Sequence, residues 1–159
     1  MALSDMAGHL IRRLHQQSTS IFSQRTQEAG FDLTPVQFAA LDAIYTNEGS
    51  DQAFIAEMIG YDKATIGGVI NRLVTKGLVR RVVNAQDRRS RALSLTAKGN
   101  KVRLVLLPIV QELQKEILSP LGKVEQEHLI KLMRQVTMQV DTAAPVRHEP
   151  DWVSRGKAG

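Results

Sequence analysis

The sequence predicts a mainly α-helical protein that carries one small β-hairpin. Apolar residues recur at three- and four-residue steps over most of the 159 residues, as they do along the buried face of an α-helix. Between residues 78 and 95, two strand-like stretches instead flank a polar, turn-prone segment. Two short helices joined by a tight turn come directly before this hairpin. This order of elements predicts a winged helix-turn-helix with long helices at both ends of the chain.

Start and stop signals divide the helical part of the sequence into six helices. Thr34 is a helix N-cap, and Pro35 follows it at the first helical position. Asp62 and Thr96 are also N-caps. Gly77 is a C-cap signal that ends the fourth helix. The expected helices cover about residues 4–29, 35–47, 52–59, 63–76, 97–117 and 124–140.

The hairpin has the pattern of a DNA-binding wing. Its first strand, residues 78–83, is rich in β-branched residues, and its second strand, residues 91–95, alternates polar and apolar side chains. The intervening residues 84–90 are polar and carry Arg88 and Arg89 near their end. Such an arginine-tipped ribbon can reach a minor groove while the helix before it enters the major groove.

The positive charge of the chain is concentrated around this hairpin. The whole sequence carries a formal net charge of +5. Residues 61–103 contain eleven Lys or Arg against two Asp, which makes that segment +9 and leaves −4 for the rest of the chain. This distribution predicts an anionic partner, and the hairpin makes double-stranded DNA the expected one.

The sequence argues against several other classes of function. It has no cysteine, so disulfides and thiolate metal sites are excluded. It has no apolar run long enough to span a membrane and no signal-peptide pattern at its start, so we expect a cytoplasmic protein. The four histidines lack metal-binding spacing, and no nucleophile or paired-carboxylate pattern is present. We therefore expect no metal, no cofactor and no enzymatic activity.

The end helices carry more apolar surface than a monomer of this size would readily cover. We therefore expect a homodimer in which these helices pair with those of a second copy. The expected organisation is an N-terminal dimerisation helix at 1–32, a winged helix-turn-helix DNA-binding domain at 33–99, C-terminal dimerisation helices at 100–141 and a flexible tail at 142–159. Two-fold symmetry would place the two recognition helices about one DNA turn, ~34 Å, apart.

Five short motifs follow one another in order along the chain. They are LTPVQF at 33–38, QAFIA at 52–56, DKAT at 62–65, NRLVTKGLV at 71–79 and DRRSR at 87–91, followed by Leu93, Leu95, Thr96 and Gly99. With this order and spacing, residues 5–140 resemble the MarR family of transcriptional regulators. The resemblance implies a dimer that binds a palindromic double-stranded operator, usually as a repressor, and that a small aromatic ligand often releases. It implies no catalysis.

The fourth helix is expected to be the recognition helix. Lys63 could reach a phosphate or a guanine, and Thr65 could donate to a phosphate or touch a thymine methyl. Gln52, at the start of the third helix, is a candidate phosphate donor. The chain departs from the family pattern at Gly67 and Gly68, where larger side chains are usual. The residues expected to face outward on this helix are Lys63, Ala64, Thr65, Gly68, Asn71 and Arg72.

The resemblance also assigns roles to the wing tip. It implies that Arg89 enters the minor groove and that Asp87 orients Arg89 through an ion pair. A guanidinium suits a narrow, electronegative groove. Arg88 and Arg91 are expected to contact phosphates.

A ligand pocket lined by the first, second and fifth helices is a further implication of the resemblance. His9 or Arg13 could hold a carboxylate, with Phe38 or Tyr45 against an aromatic ring. These four residues are candidates for binding a small aromatic carboxylate that lowers the affinity for DNA.

Two other interpretations compete with a sequence-specific regulator. An architectural DNA-binding protein of low specificity fits the charge distribution equally well, and Gly67 and Gly68 slightly favour weak base readout. A winged-helix module for protein–protein contact would leave the arginines of the tip dispensable for DNA binding. Operator binding that persists in excess random DNA separates the first two, since a regulator prefers its site by ~10³-fold or more.

Overall fold

The computed structural model describes residues 2–83 and 91–142. These residues form six α-helices and a two-stranded antiparallel hairpin, so the predicted fold class is confirmed. Residues up to 117 form one compact unit, and residues 118–142 belong to a second. The wing tip at 84–90 and the expected tail from residue 143 onward lie outside the described residues. The elements are α1 (Ala7–Glu28), α2 (Pro35–Thr46), α3 (Gln52–Met58), α4 (Lys63–Thr75), β1 (Val79–Val83), β2 (Arg91–Leu95), α5 (Ala97–Ile117) and α6 (Lys123–Thr142).

The first helix begins later than the sequence predicted. Met6 is extended, with φ −80° and ψ 125°, so α1 starts at Ala7 rather than at residue 4. Leu3–Asp5 form a separate 3-10 turn, in which the Asp5 N–H donates to the Ala2 carbonyl at 3.0 Å. An extended residue cannot continue the helical hydrogen-bond pattern, so the two segments stay distinct.

Side-chain caps are present at the starts of α2, α3 and α4, and those at Thr34 and Asp62 confirm the prediction. At α2, the Gln37 N–H donates to Thr34 Oγ1 at 3.3 Å, and the Thr34 N–H donates to Gln37 Oε1 at 3.2 Å, which completes a capping box. At α3 the cap is Asp51, whose Oδ1 accepts from the Phe54 N–H at 2.9 Å. Asp62 caps α4 in the same way. Each cap satisfies backbone donors that the helix itself leaves without partners.

Two glycines, one in a turn and one at a close contact, shape the connections between α4, the wing and α5. Gly77 has φ +71° and turns the chain from α4 into β1, as its C-cap position predicted. Gly99, in the first turn of α5, packs on the wing so closely that a Cβ there would lie 2.0 Å from the Leu78 carbonyl oxygen. Thr96 caps α5 by accepting from the Gly99 N–H at 3.0 Å and donates its hydroxyl to the Gly77 carbonyl. These contacts hold the wing at a defined place beside α4.

The core of the first unit lies between α2, α4 and the hairpin, with α1 and α5 packed against it. Phe22 of α1 meets Phe38 of α2 with ring centroids 6.3 Å apart. The apolar residues of α3 predict that Met58 points inward with Ile55, but Met58 is exposed, and α3 buries only Ile55 and Ala56. Met58 is the last residue of this two-turn helix and remains 51% exposed.

Candidate nucleic-acid interface

The exposed face of α4 consists of the residues that the sequence predicted. Ile66, Val69, Ile70 and Leu73 are buried against the core, which orients the helix. The opposite face is therefore turned to solvent, where it can enter a groove of DNA. The predicted outward residues Lys63, Ala64, Thr65, Gly68, Asn71 and Arg72 are all exposed.

The N-terminus of α4 is organised by Asp62 and Thr65. Asp62 Oδ1 accepts from the Thr65 N–H at 2.8 Å, and Asp62 Oδ2 accepts from the Thr65 hydroxyl at 2.5 Å. The bond from the Thr65 hydroxyl, followed by that from its backbone N–H, holds the pKa of Asp62 below its ordinary value of 3.8. Because a threonine has one hydroxyl proton and it is given to Asp62, the Thr65 methyl and the acceptor lone pairs of Oγ1 are the groups left for DNA.

Gln52 joins the two helices of the helix-turn-helix. Its Nε2 makes a long hydrogen bond of 3.5 Å to the Lys63 carbonyl. It also lies 3.1 Å from where a Cβ on Gly67 would stand, so Gly67 allows α3 and α4 to approach each other. Gly68 is different, because a Cβ there would have no neighbour within 4 Å. Gly67 therefore serves the packing of the helices, whereas Gly68 leaves space on the DNA-facing side.

The wing contributes three described arginines. Arg91 is exposed at the start of β2, next to the tip. Arg80 donates from Nε to Ser94 Oγ at 2.8 Å, across the hairpin. Arg81 donates from Nη2 to Asn71 Oδ1 on α4 at 2.6 Å. The roles predicted for Asp87, Arg88 and Arg89 fall on residues outside the described part of the chain.

Sequence reasoning missed Arg81 as part of this surface. The alternation of β1 places Arg81 on the same side as Val79, which is buried, and opposite the buried Leu93 of β2. That two-residue period was visible in the sequence and indicated that Arg81 points back toward the helices. Its partner on α4 was not visible.

Two nearby lysines make hydrogen bonds or ion pairs within the chain. The Lys76 ammonium binds the Asp32 carbonyl and lies 3.3 Å from Asp32 Oδ2, in the connection between α1 and α2. Lys98 donates to the Lys76 carbonyl at 3.0 Å, at the C-terminus of α4, where a cation is favourable. The sequence leaves Lys76 open as a phosphate contact or as an internal ion-pair partner, and the structure contains the internal ion pair.

Two of the four candidate effector residues, Arg13 and Tyr45, line separate hollows. Arg13 lines an open hollow of about 510 Å³ along α1 with Leu10, Leu14, Gln16 and Gln17. Tyr45 lines a different hollow, of about 160 Å³, where the end of α2 meets the start of α5. Phe38 is buried in the core, and His9 lies half-buried in the first turn of α1.

Tyr45 is itself engaged by a neighbouring cation. The Arg103 guanidinium carbon lies 3.8 Å from the centroid of the Tyr45 ring. Arg103 Nε also donates to Asp42 Oδ1 at 2.7 Å, and the Arg103 residue is buried. The arrangement ties α5 to α2 and covers one face of the tyrosine.

A helix-turn-helix with an exposed second helix, followed by a two-stranded wing, makes this chain a winged helix-turn-helix protein. A model of the MarR family matches residues 31–90. The transcriptional regulator HosA of Escherichia coli O127:H6 is 38% identical over 136 residues, which cover 86% of this chain and 98% of HosA. The chain belongs to the MarR family of transcriptional regulators.

Solved structures of two other regulators have the same fold. PcaV of Streptomyces coelicolor, in complex with its natural ligand, is 32% identical, covers 91% of this chain and 98% of its own, and has a TM-score of 0.79. BpsR of Bordetella bronchiseptica is 26% identical, covers 86% of this chain and 96% of its own, and also has a TM-score of 0.79. The BpsR structure concerns the regulation of its DNA binding by 6-hydroxynicotinic acid.

The described residues contain neither a metal-binding cluster nor a membrane-spanning helix. Residues 2–83 and 91–142 hold no group of three His, Cys, Asp or Glu side chains that could bind a metal ion. In the same stretches, no helix is long and apolar enough to cross a membrane.

Proposed function

We propose that this protein is a homodimeric repressor that binds a palindromic double-stranded operator and is released by a small aromatic carboxylate. The observation that carries the DNA-binding part is the exposed face of α4, held by a buried opposite face beside a positively charged wing. Such a helix fits the major groove, and the wing then reaches the flanking minor groove. The proposal requires no catalysis and places the protein in the cytoplasm with its operator.

The DNA-binding domain is proposed to span residues 33–99. Lys63, Arg72 and Arg91 supply exposed cations for phosphates, and Gly68 allows the α4 backbone to approach the bases. The family resemblance adds Arg89 as the minor-groove contact, with Asp87 orienting it. The remaining proposed contacts are Gln52, Ala64, Thr65, Asn71 and Arg88.

The dimerisation surface is proposed to lie on residues 1–32 and 100–141. Exposed apolar side chains occur on α1, at Leu10 and Ile11, and on α5, at Leu104 and Val105. On α6 none of the described side chains at 123–138 is buried, although its apolar residues repeat at helical spacing. A second copy that covers these faces would remove apolar surface from water, which favours association.

The effector is proposed to be an aromatic carboxylate held by Arg13 or His9. Arg13 is exposed in the α1 hollow and offers a planar, bidentate partner for a carboxylate. The similarity to BpsR supports this class of ligand, because 6-hydroxynicotinic acid is an aromatic acid. Phe38 or Tyr45 is proposed to meet the aromatic ring, although neither lines the Arg13 hollow in the described structure.

A titration on the DNA that flanks this protein's own gene tests the function. Wild type and Arg89→Ala are compared in excess random competitor. The proposal expects wild-type binding to survive the competitor, with a preference of ~10³-fold or more, and Arg89→Ala to lose it. If competitor abolishes binding by both proteins equally, the architectural alternative replaces the proposal.

A second titration tests the effector. Millimolar aromatic carboxylates are added to the wild-type complex and to that of Arg13→Met, which keeps the length of the side chain without its charge. Release of wild type together with retention by Arg13→Met supports the assignment. If no carboxylate changes DNA binding or the melting temperature, the effector part of the proposal is wrong.

A further inference from the structure

A hydrogen bond between the wing and the recognition helix joins the two elements that face DNA. Arg81 Nη2 of β1 donates to Asn71 Oδ1 of α4 at 2.6 Å. Arg81 stands opposite Leu93 in the antiparallel ladder, and Leu93 is buried, so both side chains lie on the core-facing side of the hairpin. Arg81 is therefore directed back against α4 rather than outward with its neighbour Arg80.

Asn71 is the polar member of a stripe of small residues along one side of α4. Ala64, Gly67 and Gly68 precede it by seven, four and three residues, which places all four on one side of the helix. The three preceding residues offer nothing larger than a methyl group. Asn71 is exposed, so it is the polar side chain of this stripe that can meet a base edge.

The bond from Arg81 changes what Asn71 can recognise. A carboxamide has an oxygen that accepts and an NH₂ group that donates. Asparagine recognises adenine in the major groove by using both, accepting from N6 and donating to N7. The Arg81 bond takes one of the two lone pairs of Oδ1 and places a guanidinium beside that oxygen, which leaves Nδ2 as the free donor. Pairing with adenine would require its N6 donor to share Oδ1 with a charged donor, and bonds to charged groups are the stronger ones, so adenine is disfavoured.

We propose that Arg81 is a positioning residue that sets the base preference of α4. It holds Asn71 as a hydrogen-bond donor toward an acceptor oxygen or nitrogen on DNA, and it disfavours adenine at that position. The acceptor is a guanine or thymine edge in the major groove. This inference rests on the DNA-binding function proposed above and adds a determinant of sequence choice to it.

Selection of binding sites from a randomised duplex library tests the proposal. Wild type, Arg81→Met and Arg80→Met are run in parallel as full-length proteins. Arg81→Met frees the Asn71 oxygen, so we expect about a tenfold gain in relative affinity for adenine at one position of each half-site. Arg80→Met removes the same charge from the adjacent residue, which bonds Ser94, and should weaken binding to all sequences alike.

A second variant keeps the test decisive if Arg81→Met folds poorly. Asn71→Asp retains an acceptor for Arg81 and replaces the NH₂ donor with an oxygen. It should shift the preference at the same position toward cytosine, whose N4 amino group donates. Asn71→Ala tests the acceptor. Loss of preference at one position indicates a base edge, whereas a uniform loss indicates a phosphate and overturns the role of Arg81 in base preference.

The outcomes for the two proposals are distinct. If wild type enriches a motif, and Arg81→Met and Asn71→Asp enrich the same one, the role of Arg81 is overturned. The proposed function as a sequence-specific regulator is then unaffected. The role of Arg81 is also overturned if the wild-type motif contains adenine at the position that Asn71 contacts and Asn71→Ala loses that preference. A wild-type selection that enriches no motif overturns the proposed function, and this inference with it.

Discussion

The central helices and the C-terminal helix of this protein use the same apolar residue types in opposite ways. In α2 and α4, Leu41, Ile44 and Leu73 are completely buried. In α6, Leu132 and Val136 are 45% and 62% exposed, and none of the described side chains at 123–138 is buried. The central helices therefore obtain their packing within the first unit. α6 carries apolar residues of the same types on an exposed face, which the proposed dimer would cover.

The difference teaches where mutations act. In α2 and α4, the packing of buried side chains determines the structure, so a change there alters the free energy of unfolding of each chain. In the proposed dimer, an equivalent change on α6 should alter the association of two chains and leave the central fold alone. The following predictions test this contrast, from the largest expected effect to the smallest.

The largest effect is expected for Gly99→Ala, compared with Gly68→Ala. A Cβ on Gly99 would lie 2.0 Å from the Leu78 carbonyl oxygen, which also accepts the Thr96 N–H, so α5 and β1 must separate. We expect a loss of more than about 3 kcal/mol in the free energy of unfolding, measured by urea denaturation.

Gly68→Ala is the matched control for that change. The added methyl group on Gly68 meets nothing within 4 Å, so it should stabilise α4 by up to about 1 kcal/mol and weaken DNA binding instead. Equal stabilities of the two variants would contradict the close packing of α5 on the wing.

Leu41→Ala and Leu132→Ala compare one chemical change in the two regions. Leu41 is completely buried, so its truncation should cost about 3 kcal/mol of unfolding free energy. Leu132 is 45% exposed on α6, so its truncation should instead raise the dissociation constant of the dimer. Sedimentation at several concentrations and urea denaturation separate the two effects. A dimer unchanged in Leu132→Ala, Val136→Ala and their double variant would argue against α6 as an interface.

A smaller effect is expected at the start of α2. Thr34→Ala removes one half of the capping box and leaves the Gln37 N–H without its partner. Such a loss costs about 1 kcal/mol, and urea denaturation should record it at every protein concentration, because α2 belongs to the central fold. Thr34→Ser, which keeps the hydroxyl, should be close to wild type.

The smallest effect concerns the pKa of Asp62. Its carboxylate is stabilised first by the Thr65 hydroxyl, so Thr65→Val should raise the pKa toward the ordinary 3.8. Because the folded-state pKa is lowered, the contribution to stability is present above the ordinary value and is lost as the pH falls through the lowered one. NMR titration of the Asp62 carboxyl carbon in both proteins measures this. An unchanged pKa would mean that the backbone N–H alone lowers it.

The local features of the fold were predictable because their causes lie close together in the chain. The Thr34 and Asp62 caps join residues three apart, so the spacing alone identified them. The same holds for the outward face of α4, which follows from the positions of its apolar residues. Met58 was mispredicted because an apolar residue type does not specify which side of a two-turn helix reaches the core.

The sequence by itself determined the order of elements, the helix caps, the outward face of α4 and the membership in a family. These features depend on periodicity and on contacts between near neighbours. Only the tertiary structure decided which distant groups meet: Arg81 with Asn71, Lys76 with Asp32, and Arg103 with Asp42 and Tyr45. Apart from Arg81 and Asn71, these partners are separated by 44 residues or more in the chain. Their pairing follows from the packing of whole helices and strands, which no local pattern encodes.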